Sequence, residues 1–200
     1  ESQDANIMEY ATNVEASGKM LLSLVNDILD FSKIESGKME IIQVEYQVSS
    51  VLNDLANIIT PRLMEKELEF IFDINESIPN YLYGDEVRIR QIVANLLTNA
   101  AKYTDEGSVT LKLDYRQTLD GEIDLIFGVK DTGRGIKEED IDHLFDKFMR
   151  MEEKKNRNIE GTGLGLSIAK RFVDMMNGTL GVDSVYGEGF GLWCWLRRNC

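Results

Sequence analysis

Asn95 and Asn99 stand four residues apart in RQIVANLLTNAAKYT (90–104), followed by Lys102 and Tyr103. On a helix the two asparagines share one face, and Lys102 lies on the same side of the last turn. Their amide oxygens can hold Mg²⁺, a hard cation that takes oxygen ligands and keeps its waters when it bridges phosphates; they can equally be structural polar groups bonded to neighbours. KDTGRGI (130–136) closes a strand-like run. There the Asp131 carboxylate can accept from an adenine amino group, while Gly133 and Gly135 admit close backbone approach or positive φ. A plain Asp-Gly turn is the other reading. In LFDKFMRM, Phe145 and Phe148 read as packing residues, and Arg150 either meets a terminal phosphate or is a solvated charge. GTGLGLS (161–167) places Gly161, Gly163 and Gly165 at alternate positions ahead of a helical pattern, whose free N–H groups and positive dipole end suit an anion. The familiar phosphate templates do not fit. A dinucleotide fingerprint needs glycine where Ile168 stands, and a P-loop needs lysine where Leu166 stands.

These residues need a frame. Residues 3–35 carry helical periodicity, with Leu21, Leu24, Ile28 and Phe31 on one stripe and Leu22, Val25 and Leu29 on a second beside it. A face that wide suits a multi-helix bundle better than a two-stranded seam. At 1.5 Å per residue the helix is about 45–50 Å long. Gly37 in ESGK is its expected stop. After it the pattern changes. MEIIQV (39–44) and LEFIFDI (68–74) read as strands, and Val48 to Glu65 as a helix. NESIPNYLYGD reads as a turn-rich connection, with Asp85 the N-cap of a helix to about Lys102. Ser108–Tyr115 and 123–129 alternate around Asp120-Gly121 as an antiparallel hairpin with one buried face. EEDIDHLFDKFM gives a short helix and 162–177 a longer one, before two closing strands, TLGVDSV and GFGLWCWL. The expected fold class is α+β: an α/β sandwich with a mixed, mainly antiparallel sheet covered by about three helices on one face, preceded by the long bundle helix.

Composition narrows the partners. A net charge of −13 argues against nucleic acid and anionic membranes, which reward basic surfaces. An anionic ligand therefore has to be held by local groups. Cys194 and Cys200 match no zinc spacing and make no disulfide framework, so a reduced, cytoplasmic setting is expected. There is no signal peptide and no run of 18 apolar residues, although the chain can belong to a membrane-anchored parent.

The ordered set NLLTNAAKY (95–103), DTGRGI (131–136), FDKF (145–148) and GTGLGL (161–166) resembles the asparagine, first glycine, phenylalanine and second glycine boxes of sensor histidine kinases. Those kinases belong to the gyrase, Hsp90, histidine kinase and MutL superfamily. LLSLVNDILDFSKIESGKMEI (21–41) further resembles the second helix of the kinase dimerisation and phosphotransfer domain, in wording closest to hybrid-type kinases. The resemblance covers essentially the whole chain. It implies ATP and Mg²⁺ as ligands, with Asn99 on Mg²⁺ assisted by Asn95, and Lys102 and Arg150 on phosphates. It further implies that Tyr103 lines the nucleotide pocket, that Asp131 reads adenine, and that Gly133, Gly135 and Ile136 shape that wall. Gly161, Thr162, Gly163, Leu164, Gly165 and Leu166 become the edge of an ATP lid spanning about 136–160. By the same resemblance, residues 1–37 are the second bundle helix and 38–200 the ATP-binding catalytic domain. The implied partners are the phosphoacceptor helix of a kinase homodimer and a response-regulator receiver domain.

Several positions depart from the pattern. ATP-hydrolysing superfamily members carry a water-activating Glu one turn before the magnesium Asn, where this chain has Asn95, a poor general base. Transfer is therefore expected rather than hydrolysis. The one histidine, His143, lies in DHLFDKF and lacks the phosphoacceptor context, so the chain is expected to start after the acceptor helix. Family members commonly carry Ser or Thr where Phe190 and Gly191 stand. Trp193 and Trp195 alternate on one strand face, which reads as sheet packing or, if exposed, as an interface.

Overall fold

The computed structural model describes residues 2–118, 123–146, 163–187 and 189–198. The chain divides into two compact units, Glu1–Met39 and Glu40–Cys200. The first contains α1 (Ser2–Glu35), whose end is closed by backbone geometry. Gly37 takes φ +66°. This brings its N–H to the Ile34 carbonyl (3.0 Å) and the Lys38 N–H to the Lys33 carbonyl (2.9 Å), so carbonyls orphaned at the helix end are satisfied. Leu21, Leu22, Val25, Ile28 and Leu29 are exposed along α1.

The second unit runs β1 (Val44–Gln47), α2 (Val48–Glu65), β2 (Glu69–Ile74), β3 (Tyr81–Gly84), α3 (Glu86–Tyr103), β4 (Ser108–Gln117), β5 (Ile123–Asp131), α4 (Glu138–Ile141), α5 (Gly165–Met175), β6 (Thr179–Val185) and β7 (Gly189–Arg198). Its main sheet has the order β2-β4-β5-β7-β6. The β2–β4 pair is parallel and the other pairs are antiparallel, so the sheet is mixed and mainly antiparallel, as the sequence leads one to expect. Register aligns the apolar residues in rows across the strands. Leu111 faces Val129, which faces Leu192; Leu113 faces Phe127, which faces Cys194 and then Leu180. All of these are buried, together with Leu55 and Ile59 of α2, Ile92 and Leu96 of α3, and Ile168 and Phe172 of α5. Burying each such side chain contributes about 1.5–3 kcal/mol, which holds the helices to one face of the sheet.

The opposite face is where the alternating tryptophans point. A Cβ at Gly128 would lie 2.2 Å from the Trp193 ring, and one at Gly181 would lie 3.2 Å from the Trp195 ring. Both rings therefore lie over glycines of neighbouring strands, which is sheet packing, and Trp195 keeps 39% of its surface exposed.

The structure corrects some local expectations. The strand expected at 39–44 is instead Val44–Gln47. The Ile42 N–H goes to the Asp85 carboxylate (2.9 Å) rather than to a ladder. Pairing begins only where Val44 meets Gly84, the last residue of β3, a strand inside the stretch expected to be turns. Within EEDIDHLFDKFM, the described residues are helical only over Glu138–Ile141, and turns carry the chain to 146. The helix expected from 162 begins at Gly165.

Candidate functional site

α3 provides one wall. It starts at Asp85, whose buried carboxylate accepts the Arg88 N–H (3.0 Å) and thus satisfies one donor orphaned at the helix start. Ile89, Ile92, Val93, Leu96 and Leu97 are buried, while Asn95, Asn99, Lys102 and Tyr103 are half-buried on the side left free. Asn95 and Asn99 differ in what they hold. The Asn95 amide donates to the Gly165 carbonyl at 3.0 Å, which leaves its oxygen available. The Asn99 amide has no hydrogen-bond partner among the described residues. A half-buried amide without a protein partner is open to water or to a ligand.

The end of α3 is fixed from outside the helix. Lys66, just past α2, donates to the carbonyls of Ala101 (2.9 Å), Lys102 (3.0 Å) and Thr104 (2.8 Å). One ammonium thus satisfies three acceptors at the negative end of the dipole, and this holds the backbone beneath Lys102 and Tyr103. The buried Thr104 hydroxyl donates to the Ala100 carbonyl at 2.8 Å.

β5 delivers Asp131 against that end of α3. Asp131 is 2% exposed. Burial pushes it up to about 6, against the Gly133 N–H at 2.8 Å and the Phe190 N–H, which favour the carboxylate. The Thr104 hydroxyl adjoins the same carboxyl, but its single proton also serves Ala100. Gly133 is required by contact, since a Cβ there would lie 2.5 Å from the Tyr103 carbonyl and 2.9 Å from Asp131 Oδ1. Gly135 is required by both conformation and contact: its φ is +66° and a Cβ would lie 2.3 Å from the Val185 carbonyl. The loop is pinned to the β6–β7 turn by the Ile136 N–H to Ser184 Oγ and by the Gly187 N–H to the Arg134 carbonyl, both 2.8 Å.

The start of α5 forms the third side. Gly163 takes φ +71° and Leu164 is buried at the N-cap, with Gly165 and Leu166 opening the helix. A Cβ at Gly165 would lie 3.5 Å from the Asn95 amide, an ordinary contact. The protein's own packing therefore does not demand glycine there. Phe148, Arg150, Gly161 and Thr162 lie outside the described residues. Phe145 lies in the turns after α4. His143 is exposed and pairs with Asp146 at 2.8 Å, whose hydrogen bond and charge hold the imidazole above its usual range. Two other segments thus meet α3: the end of β5 at its last turn and the start of α5 at Asn95.

The Histidine kinase-, DNA gyrase B-, and HSP90-like ATPase family matches residues 84–199. The chain belongs to this family. Among its relatives, the sensor protein GacS of Pseudomonas syringae pv. syringae is 38% identical over 94% of the chain. The hybrid signal transduction histidine kinase B of Dictyostelium discoideum is 38% identical over 93% of it, and the sensor histidine kinase RcsC of Escherichia coli (strain K12) is 38% identical over 89%. The chain spans 21%, 9% and 18% of those proteins, so it corresponds to about a fifth or less of each. A crystal structure of full-length ShkA in complex with AMPPNP superposes with a TM-score of 0.80 at 31% identity, over 96% of this chain and 39% of that one. The histidine kinase AdeS of Acinetobacter baumannii shares the fold, with a TM-score of 0.73 at 21% identity over 94% of this chain and 84% of that one. An ATP-binding domain of the histidine kinase type is therefore present. Among the described residues, no helix is long and apolar enough to cross a membrane.

Some contributors to the site carry no sequence signal. Lys66 sits in an unremarkable EKE turn, more than thirty residues from the carbonyls it caps. Ser184 and Gly187 support the Asp131 loop from the far end of the chain. Arg134, between Gly133 and Gly135, carries its guanidinium carbon 5.0 Å from the centroid of the Tyr103 ring. Only tertiary pairing brings these residues to the ends of α3 and β5.

Proposed function

We propose that this chain is the ATP-binding catalytic region of a two-component sensor histidine kinase. It transfers the γ-phosphoryl group of Mg-ATP to a histidine on a separate helix, for relay to an aspartate of a response-regulator receiver domain. Residues 1–37 serve as the second helix of the dimerisation and phosphotransfer domain, and 38–200 carry the nucleotide site. The observation that carries this reading is the buried Asp131, which stands beside Thr104 at the end of α3, the helix that carries Asn95 and Asn99.

In this reading Asp131 accepts from the adenine amino group, and Tyr103, Gly133, Gly135 and Ile136 line the base and sugar side. Asn99 and the free oxygen of Asn95 fit Mg²⁺, because amide oxygens suit a hard cation. Among the described residues, no group of three or more His, Cys, Asp or Glu offers an alternative cage. The ion would supply charge neutralisation on the phosphates. Lys102 and Arg150 supply further positive charge, and the α5 N-terminus, with Gly165 leaving room, faces the phosphates. No carboxylate stands at position 95, so the site positions a phosphoryl group rather than activating water. Such positioning is most of what phosphoryl transfer asks of a protein.

The test mixes this chain with a separately made phosphoacceptor helical domain and γ-labelled ATP. Acid-labile phosphohistidine is the expected product. ATP binding without any such product would refute the kinase reading.

A further inference from the structure

Asp131 is the last residue of β5, where the ladder with β4 ends in the pair Val109 and Asp131. One residue on, Thr132 ties the chain once more to the start of β4. Its N–H donates to the Ser108 carbonyl at 3.1 Å. Its side chain turns back the same way. Thr132 Oγ1 accepts the Ser108 N–H at 2.9 Å, and the hydroxyl donates towards the Glu106 carbonyl at 3.2 Å, with that of Ser108 at 3.4 Å. Thr132 is nevertheless exposed, a setting in which most substitutions change little. Valine would suit the end of a strand equally well. What threonine adds is a hydroxyl on which a backbone donor and a backbone acceptor of the α3–β4 turn both close.

That turn is shaped around the hydroxyl. Gly107 takes φ +100°, and a Cβ there would lie 2.2 Å from Thr132 Oγ1, so glycine alone permits the approach. The turn is anchored elsewhere as well. Lys66 donates to the Thr104 carbonyl at 2.8 Å, and the Glu69 N–H to the Gly107 carbonyl at 2.9 Å. On the other side of Thr132, a Cβ at Gly133 would lie 2.5 Å from the Tyr103 carbonyl. The segment carrying Asp131 is thus registered against the turn by Thr132 and against the end of α3 by Gly133. Recognition through one carboxyl depends on such registration, since a binding group has to be held within about 0.5 Å of its productive place.

Resting on the reading of Asp131 as the acceptor for the adenine amino group, we propose that Thr132 is a positioning residue for base recognition. Its hydroxyl locks the Asp131 segment to the α3–β4 turn and so holds the carboxyl in register with the end of α3.

The test titrates the wild-type chain, Thr132→Val and Thr132→Ser calorimetrically with adenosine and with purine riboside, which lacks the amino group that Asp131 would read. Thr132→Val keeps the branched shape and removes the hydroxyl. Its adenosine affinity is expected to fall about fivefold, the worth of one ordinary hydrogen bond, while purine riboside stays within about twofold. Thr132→Ser restores the hydroxyl and is expected to bind adenosine within about twofold of the wild type. If the valine variant does not fold, Thr132→Ala carries the same comparison. Equal losses for the two nucleosides would make Thr132 a support for the pocket at large and overturn the proposal. Unchanged adenosine affinity in Thr132→Val, or no recovery in Thr132→Ser, would overturn it too. A wild-type chain that bound both nucleosides alike would instead sink the reading of Asp131 itself, and the proposal with it.

Discussion

The Asn95 side chain is tied to the first residue of α5, its amide nitrogen lying 3.0 Å from the Gly165 carbonyl. Asn99, one turn on, makes no comparable bond to any described residue. Two residues of the same type on one helix face thus have different duties. One joins α3 to the segment that begins α5, and in the proposed reading the other holds Mg²⁺.

Asn95→Asp separates these duties, because it keeps an oxygen for a cation but sets a carboxylate oxygen against the Gly165 carbonyl. Losing the bond and gaining that repulsion costs about 1–3 kcal/mol locally. Amide hydrogen exchange at 165–169 is expected to quicken about tenfold or more in Asn95→Asp and to stay unchanged in Asn99→Ala. Asn99→Ala is expected instead to abolish the gain in ATP affinity on adding Mg²⁺. If both variants behaved alike in exchange and in Mg²⁺ dependence, the division of labour would be wrong.

How much of this was legible in the sequence depends on the range of each interaction. α3, with its Asp85 cap, and the β4–β5 hairpin follow from local periodicity and turn residues. The faces of Asn95, Asn99 and Asp131 follow from helix and strand geometry once those elements are placed. β1 and β3 were obscured because each is four residues long and pairs only with the other, so neither pattern stands alone. The Asn95–Gly165 bond joins residues seventy positions apart, and Lys66 reaches α3 across thirty-five or more. Both depend on the α2–α3–α5 packing, which no short window encodes.

Lys66→Met removes the ammonium while keeping much of the stem. The three carbonyls it served stand at the end of α3, part-buried, and water can reach some of them. The expected loss is about 1–2 kcal/mol, less than three full charged bonds because the lysine is partly exposed. A denaturant titration checks this, and Lys66→Arg is expected to recover part of it. Because the same carbonyls anchor Lys102 and Tyr103, adenosine affinity is expected to fall too. Full stability in Lys66→Met would remove the cap from the account.

Gly128 is where the outer sheet face tests its packing. A methyl there would meet the Trp193 ring at 2.2 Å, far inside contact distance. Gly128→Ala must therefore displace a half-buried indole, and a destabilisation of about 1–3 kcal/mol is expected. Trp193→Leu should relieve the clash, so the double variant is expected to be more stable than the sum of the single changes predicts. Strict additivity in thermal melts would show that the ring does not rest on Gly128.

Asp131 makes a pH-dependent prediction of known sign. Burial raises the folded carboxyl to about 6 from 3.8. The folded chain therefore holds a proton that the unfolded chain releases between those values. The stability contributed is complete below about 4 and is lost as pH rises through about 6. Ligand binding should run the other way, because the carboxylate is the better acceptor for an adenine amino group. A bond to a charged acceptor exceeds a neutral one by about 1 kcal/mol, so adenosine affinity should fall roughly fivefold as pH drops through that range. Adenosine is the right probe, since the phosphates of ATP titrate near the same pH. Asp131→Asn cannot titrate there and should bind adenosine weakly with a flat profile. A wild-type affinity that stays flat from pH 5 to 7.5 would mean that Asp131 does not accept from the base.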